Sequence, residues 1–406
     1  MKKMNYFDMF LFSIIMYAMA IFFYTLIPNF LPLTKIIGLI NILSLIIIYF
    51  RAIKKKDLII LFFIFTIDIF AIVNSNNFSK SFEHLAGITS TLLIINKICD
   101  KSFRKKMYES FLKNDKIIFN LMKIVSIIVL ISLFNPKCYQ VVLGDKVFVA
   151  FNDGAHAACS AVCLFLSLFS LSIARGNKKI FNYIYISPFL IAILQTGARS
   201  YLIITVAILF ILYETDIKKY KYRYILIFIA GIILLKFFIS SNTFNKFIVT
   251  GNNQYVSSNK WEALTSGRLI WWRIDLNDFF ENFNFLQKFI GVGYDYVYKL
   301  NLNKYGLEIW AHNDFIQLLL SVGIWGFTGY IIVLIRFFKV AYITFKSKSK
   351  FLSLLCTVLF SIIVLWQAVM NGFYVSQGYV FSVVLLFLGL ENLFKNRKQM
   401  GVKSNG

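Results

Sequence analysis

The sequence predicts an all-α polytopic membrane protein with about 12 transmembrane helices. Of its 406 residues, 59% are hydrophobic and only 15% are charged, and the mean hydropathy is +0.70. A soluble globular domain is nearer half apolar and a quarter charged. Apolar runs of about 20 residues recur along the chain, which is the length that a helix needs to cross a bilayer. The chain is therefore expected to fold in a membrane.

The apolar runs place the transmembrane helices in chain order. The fourth run is the least apolar because it includes Glu83 and His84, and the seventh and eighth are short and meet at Gly197. A glycine-broken pair of short spans is tolerated only where the freed backbone lines a protein cavity. We place the twelve spans at approximately 7–27, 33–50, 58–73, 82–98, 117–134, 154–174, 180–196, 198–213, 224–240, 312–335, 351–370 and 373–394.

Short basic clusters between the apolar runs set the orientation. They all fall on one side of the map, at 2–3, 54–56, 104–106, 178–179, 218–219, 346–350 and 395–398. By the positive-inside rule that side is cytoplasmic, so both termini are expected inside. These basic clusters account for the net charge of +24. Nucleic acid is excluded as a partner because no basic patch or stripe of the kind that nucleic-acid-binding domains carry is present.

We expect one integral membrane domain covering residues 1–406. Two connections on the outer side are long: 135–153, and the 71 residues of segment 241–311 between the ninth and tenth spans. A loop that long without a span of its own is usually functional. Candidate functional residues are therefore sought on the outer face.

Three of the nine arginines are expected outside, against the topology bias: Arg199, Arg268 and Arg273. The guanidinium group is always charged, and its planar fork matches phosphate geometry. A cluster of outer arginines would suit a phosphate-bearing lipid. Arg199 lies in the glycine turn between two short spans, where the alternative role is an interfacial anchor that reaches lipid headgroups.

Arg268 is predicted to begin a helix that Thr265 or Ser266 caps. A helix N-terminus offers free N–H groups to an anion, so an arginine there suits a diphosphate. The alternative is an exposed charge on a surface helix, and for Arg273, one turn further on, the solvated face is favoured. The apolar residues of this helix form an amphipathic stripe that we expect to lie at the membrane interface: Leu269, Trp272, Leu276, Phe279 and Phe283.

His312 is expected at the outer mouth of the tenth span, beside the carboxylates of Glu308 and Asp314. Asn313 or Asp314 can cap the helix that follows. A lone histidine is more often structural, but an imidazole that carboxylates orient, with a pKa near neutral, can act as a general base or as an oxyanion donor. His84 and His156 lack such a setting and are assigned to packing.

Several chemistries have no motif in this sequence. There is no metalloprotease HExxH, no Walker A loop, no dinucleotide fingerprint and no paired aspartate motif for a metal. No cytoplasmic segment is large enough to form a nucleotide domain. Asp8 and Asp68 lie within apolar spans, where proton relay and interhelical pairing are both open explanations.

The outer-face motifs, in their order, resemble the O-antigen ligase/polymerase family of bacterial surface-polysaccharide enzymes. The matching segments cover roughly 150–340, and Ala198 stands where a serine is expected. The residues that carry the resemblance are Thr196-Gly197-Ala198-Arg199, Ser266-Gly267-Arg268 with Trp271 or Trp272, Gly291-Val292-Gly293-Tyr294, and His312-Asn313-Asp314-Phe315-Ile316-Gln317 with Gly323 and Gly326.

This resemblance implies a GT-C-like membrane glycosyltransferase that uses no metal, nucleotide or other cofactor. Its donor would be an oligosaccharide on undecaprenyl diphosphate at the outer face of the bacterial inner membrane. Arg199 and Arg268 would neutralise the departing diphosphate, and His312 would activate the acceptor or bind near the leaving group. We place five further residues at the substrate: Arg273, Tyr294, Glu308, Asn313 and Asp314. Expected partners are the lipid-linked glycan as donor and acceptor, membrane lipids, a flippase and a chain-length regulator.

Polymerases and ligases of this family share these motifs. A polymerase joins repeat units, whereas a ligase moves the finished glycan to lipid A–core or to protein. The context Trp310-Ala311-His312-Asn313-Asp314 and the Phe-, Ile-, Lys- and Asn-rich composition look like the polymerases of capsule and O-antigen clusters. A flippase or transporter is the alternative from another class. It would need polar groups at mid-membrane and related halves, whereas the polar residues here concentrate on the outer face.

Overall fold

The computed structural model describes residues 5–26, 31–50, 55–75, 77–142, 145–152, 154–174, 180–215, 267–346 and 350–403, with isolated positions between 217 and 265. The helices before residue 217 are α1 (Tyr6–Phe22), α2 (Leu31–Phe50), α3 (Lys55–Val73), α4 (Phe78–Ile98), α5 (Lys101–Leu133), α6 (Ala155–Ala174), α7 (Ser187–Gln195) and α8 (Ser200–Thr215). Those after residue 265 are α9 (Arg268–Glu281), α10 (Phe285–Ile290), α11 (Tyr296–Tyr305), α12 (Asp314–Thr344), α13 (Lys350–Met370) and α14 (Gln377–Lys403).

Five described helices are long and apolar enough to cross a membrane: α5, α6, α12, α13 and residues Gln377–Lys395 of α14. The predicted all-α class is thus confirmed, and the composition of these helices is compatible with a membrane protein. Of the twelve predicted spans, eleven coincide with a helical segment. The ninth, 224–240, lies largely outside the described residues, as does most of segment 241–264.

A short hairpin is the one part of the described chain that forms a sheet. Strands β1 (Tyr139–Val142) and β2 (Asp145–Phe148) pair antiparallel, with Tyr139 opposite Phe148. Aromatic residues favour this pleated arrangement, and the two rings meet edge to face at 5.5 Å. The hairpin occupies the 135–153 connection, for which hydrophobic periodicity predicted no helix.

The most buried helices, α6 and α14, pack against each other at the centre. In each, 89% of the 18-residue apolar window is buried. Small residues allow this close approach, as is common between membrane helices. A Cβ atom at Gly378 would lie 2.3 Å from Oγ of Ser160. The alanine-, serine- and cysteine-rich stretch of α6 is therefore explained by packing, and Cys159 and Cys163 are buried and free.

Three charged side chains of the apolar helices have polar partners on other helices. Asp8 accepts a 2.5 Å hydrogen bond from Lys113, and Arg104 donates to Glu391 at 2.8 Å. Asp68 accepts from the hydroxyl of Thr89 at 3.0 Å. Because removing one partner of a buried pair leaves an uncompensated charge, these contacts are structural. Of the two explanations open for Asp8 and Asp68, interhelical pairing is the one that the geometry supports.

Helix α12 is broken at Gly323, and the break is closed by a separate segment of the chain. Gly323 has φ 64° and ψ −169°, a region that glycine alone occupies readily. Val292 donates its N–H to the carbonyl of Leu320 at 3.0 Å. Gly293 donates to the carbonyl of Ser321 at 2.9 Å. A broken membrane helix persists only where its freed backbone groups find new partners, and the Gly-Val-Gly motif supplies them.

The predicted amphipathic helix exists as α9, but its apolar stripe packs on protein. Phe279 and Phe283 belong to a small second core with Val297 and Leu300 of α11 and Ile316 at the start of α12. The expectation that this stripe lies at the membrane interface is therefore wrong for its buried end. The reason is that α11 and α12 offer an apolar surface of their own, and burying two apolar faces together stabilises both.

Candidate functional site

Four chain segments meet at the candidate site: the α7–α8 turn, the start of α9, the segment before α12, and the α13–α14 turn. Asn371 connects three of them. Its Oδ1 accepts a 3.0 Å hydrogen bond from Nη2 of Arg268, and its Nδ2 donates to Oγ of Ser200 at 2.6 Å. Arg268 also donates from Nη1 to the carbonyl of Met370 at 2.5 Å. These contacts bring Arg268 to the turn that contains Arg199.

Arg268 is a half-buried cation without a carboxylate partner among the described residues. Its partners are the neutral oxygens of Met370 and Asn371, and its Nε is buried without a hydrogen bond. Burial, and then the charge of nearby Arg199, lower the pKa of Arg268 to about 10. Holding a cation in such a place is unfavourable unless an anion compensates it. The arrangement is that of an anion-binding site.

The backbone before Arg268 differs from the predicted cap. Gly267 occupies the N-cap position with φ 79°, and no side chain caps α9. The N–H of Arg268 donates to the backbone carbonyl of Thr265 at 3.3 Å. Ser266 lies outside the described residues. Glycine suits this position because left-handed backbone costs it little, which accounts for the Gly-Arg pair.

His312 lies beside aromatic and cationic groups and not beside the predicted carboxylates. Its ring centroid is 4.7 Å from that of Trp310 and 6.2 Å from that of Trp271. Burial, then the charges of Arg268 and His156, hold the pKa of His312 well below its ordinary value of 6.5. The expectation of a carboxylate-oriented imidazole near neutral pKa is therefore wrong. The surroundings favour the neutral imidazole and disfavour its protonation.

The backbone of His312 is itself unusual, with φ 53°. Positive φ is uncommon for residues other than glycine, although histidine is among those that adopt it more often. Immediately afterwards Asn313 caps α12, and its Oδ1 accepts from the N–H groups of Phe315 at 2.9 Å and Ile316 at 3.2 Å. The predicted capping role of Asn313 is confirmed. The cap fixes the backbone next to His312 and so positions its ring.

Asp314 positions the α13–α14 turn. Its Oδ2 accepts from the hydroxyl of Tyr330 at 2.6 Å and from the N–H groups of Phe373 at 2.9 Å and Tyr374 at 3.2 Å. The residue is fully buried. It was predicted at the substrate, but its Oδ2 is bonded to the protein, and its Oδ1 is buried without a hydrogen-bond partner in the described structure. Asp314 holds the α13–α14 turn in place, and Asn371 in that turn accepts a hydrogen bond from Arg268.

The remaining predicted substrate residues lie apart from Arg268 or at the surface. Tyr294 is fully buried and stacks on His84 at 5.4 Å, so it lies behind the site. Glu308 and Arg273 are exposed. Within the described part of the chain Arg273 makes no ion pair or hydrogen bond, which agrees with a solvated position. The three residues that come together at the site are Arg199, Arg268 and His312.

Several site residues were not predicted from the sequence. Asn371 and Ser200 are the most important, and His156 is closer to His312 than its sequence context indicated. Gly372 has φ 76°, and a Cβ atom there would lie 2.2 Å from the ring of Trp310. The Asn371-Gly372 pair at the end of an apolar run is a turn signal, which could have directed attention to this loop.

No protein-family model and no curated protein matches the sequence.

Proposed function

We propose that this chain is a membrane glycosyltransferase that joins lipid-diphosphate-linked oligosaccharide repeat units. The observation that supports the proposal best is the half-buried Arg268, which lies near Arg199 without a carboxylate partner in the described residues. Two guanidinium groups at one place suit the two phosphates of a diphosphate leaving group. The neutral His312 beside them has one ring nitrogen that can accept a hydrogen bond from the acceptor hydroxyl.

The proposed reaction is a substitution at the anomeric carbon of the donor. An acceptor hydroxyl forms the new C–O bond while the bond from the anomeric carbon to the diphosphate oxygen breaks. The hydroxyl proton passes to His312 or to solvent, and the electron pair leaves with the diphosphate. Arg199 and Arg268 stabilise the charge that develops there, which is the kind of interaction that lowers a barrier most.

The proposal includes about twelve transmembrane helices, both termini in the cytoplasm and the site on the outer face of the bacterial inner membrane. The donor would be a glycan on undecaprenyl diphosphate, and the product an O-antigen or capsular polysaccharide. The basic clusters that support this orientation lie at the ends of α4, α5 and α14, where Lys97, Arg104 and Lys395 are found. A periplasm-dependent reporter fused after Lys304 should be active, and one fused after Lys346 should be silent.

The decisive experiment supplies purified protein in detergent with radiolabelled undecaprenyl-diphosphate repeat units. Longer chains without a sealed membrane indicate a polymerase, whereas a transporter yields none. Transfer that requires added lipid A–core indicates the ligase instead. The Arg268→Ala variant should lose about 10²- to 10³-fold in rate, as when one transition-state donor is removed. Lys304→Ala, which removes an exposed cation of α11, should retain the wild-type rate.

A further inference from the structure

A second feature of the structure is a cavity of about 460 Å³ between α1, α2, α4, α6 and α14. Along α4 its wall runs from Phe82 to Ser90, and along α1 and the turn after it from Tyr17 to Tyr24. At 1.5 Å per residue these stretches are about 11–12 Å long. The cavity is therefore elongated along the helix axes. Its volume is within the range of small-molecule sites.

Two amide side chains on its wall, Gln377 and Asn152, are already bonded to protein. Nε2 of Gln377 donates to the carbonyls of Gly87 at 2.9 Å and Tyr374 at 2.7 Å, and its Oε1 accepts from Ser90 at 2.7 Å. Nδ2 of Asn152 donates to a backbone carbonyl, and its Oδ1 accepts a backbone N–H. A sugar would need free donors and acceptors from these groups, since its hydroxyls lose hydrogen bonds to water on binding. The surface left to a ligand is largely apolar.

The charge on the wall is also wrong for a phosphate. The titratable residues that line the cavity are Tyr17, Tyr24, Glu83, His84 and Tyr298, and no lysine or arginine of the described chain lines it. Both ring nitrogens of His84 are occupied, by Tyr374 at 3.0 Å and Tyr298 at 2.8 Å. A phosphate group would meet the carboxylate of Glu83 without a compensating cation. An uncharged hydrocarbon has no such conflict.

The cavity reaches the lipid-facing surface. Two of its lining residues, Leu39 of α2 and Phe82 of α4, are 49% and 45% exposed. The exposed face of α2 continues as an apolar surface: Ile36, Leu39, Ile40, Leu43 and Ile47. In a membrane protein such a face contacts the hydrocarbon of the bilayer. A hydrocarbon chain could therefore enter the cavity from the side.

The inner wall of the cavity adjoins the candidate site. His84, which lines the cavity, has its ring 6.1 Å from that of Trp310. The ring of Trp310 is in turn 4.7 Å from that of His312. One layer of aromatic side chains therefore separates the apolar cavity from the site that contains Arg199 and Arg268. A ligand with a hydrocarbon chain joined directly to a diphosphate has the same succession of apolar and charged parts.

We propose that this cavity holds part of the isoprenoid chain of the lipid diphosphate whose charged end binds at Arg199 and Arg268. The inference rests on the proposed function for the identity of the donor. A phospholipid fits less well, because its phosphate is separated from its acyl chains by glycerol. The cavity then selects donors by their lipid, whereas the arginines recognise their diphosphate.

The kinetic test fills the cavity. Ala86 lines it on α4, and Ala86→Trp should raise KM for a long-chain donor about tenfold or more, since the apolar contact area of the chain is lost. KM for a donor with a two-isoprene chain should not change. Val206→Trp is the matched control, because Val206 is 64% exposed on α8 and does not line the cavity. Equal loss with both donors would indicate a sugar subsite and overturn the proposal.

A binding test separates this inference from the transferase activity. A polyprenyl phosphate with a photoreactive group on the chain should label peptides of α2 and α4 that contain Leu39 and Phe82. Labelling should be lost in Ala86→Trp and retained in Val206→Trp. With labelling intact and no transfer by any donor, the cavity assignment stands and the proposed function fails. Labelling that excess phospholipid abolishes, or that occurs elsewhere on the chain, refutes the isoprenoid assignment.

Discussion

Arg268 donates a 3.0 Å hydrogen bond from Nη2 to Oδ1 of Asn371. The two residues are 103 positions apart in the sequence, and the α13–α14 turn that contains Asn371 is held in turn by Asp314. A cation that protein amides and carbonyls orient, with no carboxylate neutralising it in the described structure, remains able to bind an anion. This relationship distinguishes Arg268 from Arg104, whose charge Glu391 compensates.

Replacing Asn371 by aspartate tests whether Arg268 must remain without a counter-ion. The Asn371→Asp variant places a carboxylate 3.0 Å from Arg268, and this internal anion should compete with a diphosphate. A hydrogen bond between charged groups contributes about 1.5–3 kcal/mol, so the donor KM should rise about tenfold or more. Asn303→Asp on the exposed side of α11 is the control. A donor KM equal to that of the wild type would show that Arg268 does not bind the diphosphate.

Arginine at 268 should not be replaceable by lysine. The guanidinium group donates one hydrogen bond to Met370 and one to Asn371, and its Nε has no hydrogen-bond partner in the described structure. An ammonium group is a point charge and cannot reproduce that fork. We expect Arg268→Lys to retain the fold and to lose about tenfold or more in rate. Melting temperature and initial rate, measured on the same preparation, separate the two effects, and an unchanged rate would remove the fork argument.

The apolar helices could be predicted because apolar runs are a local signal. Arg199, Arg268 and His312 could be chosen as candidates from local sequence context in the same way, and the structure brings them together. The surroundings of these side chains could not be predicted. Glu308 and Asp314 are neighbours of His312 in the sequence, yet Asp314 points to Tyr330 and to the α13–α14 turn. Which partner a carboxylate takes depends on packing between distant segments. The hydrogen bond that Arg268 donates to Asn371 also depends on packing between distant segments.

Glycine positions give a test of the broken helix. Gly323 has φ 64°, and a Cβ atom there would lie 2.4 Å from the carbonyl oxygen of Phe289. Gly306 has φ 70°, but no atom lies within 4 Å of its Cβ position. Gly306→Ala should cost about 1 kcal/mol, the strain of left-handed backbone alone. Gly323→Ala should cost several times more, because α10 must move. Melting temperatures in detergent compare the two, and equal losses would contradict the close packing.

His312 predicts a stability loss on the acid side. Its pKa in the folded protein lies well below 6.5. As the pH falls below about 6.5, the unfolded chain binds a proton that folded His312 does not, so stability declines. Melting temperatures between pH 5 and 8 should fall more steeply for the wild type than for His312→Gln. The two curves should run parallel above pH 7. Parallel curves throughout would mean that His312 is as accessible to protons when folded as when unfolded.

The raised pKa of Asp275 in α9 predicts that the folded protein loses stability as the pH rises. It is fully buried, and neither of its carboxylate oxygens has a hydrogen-bond partner in the described structure. Burial, followed by the charge of Asp278, raises the pKa of Asp275 to about 7. Between its ordinary pKa of 3.8 and about 7, the folded chain keeps a proton that the unfolded chain releases, so stability falls as the pH rises. That difference corresponds to at most about 4 kcal/mol at pH 8.

The substitution Asp275→Asn tests this loss, because the amide has the same shape as the carboxylate and cannot become charged. It should raise the melting temperature by several degrees at pH 8 and much less at pH 5, where the wild-type carboxyl group is protonated in the folded chain. Glu281→Gln is the matched control, since Glu281 lies on the exposed end of the same helix, and no pH-dependent gain is expected from it. If Asp275→Asn were less stable than the wild type at pH 8, the carboxylate would have to be compensated in the folded protein, and burial would not be what raises its pKa.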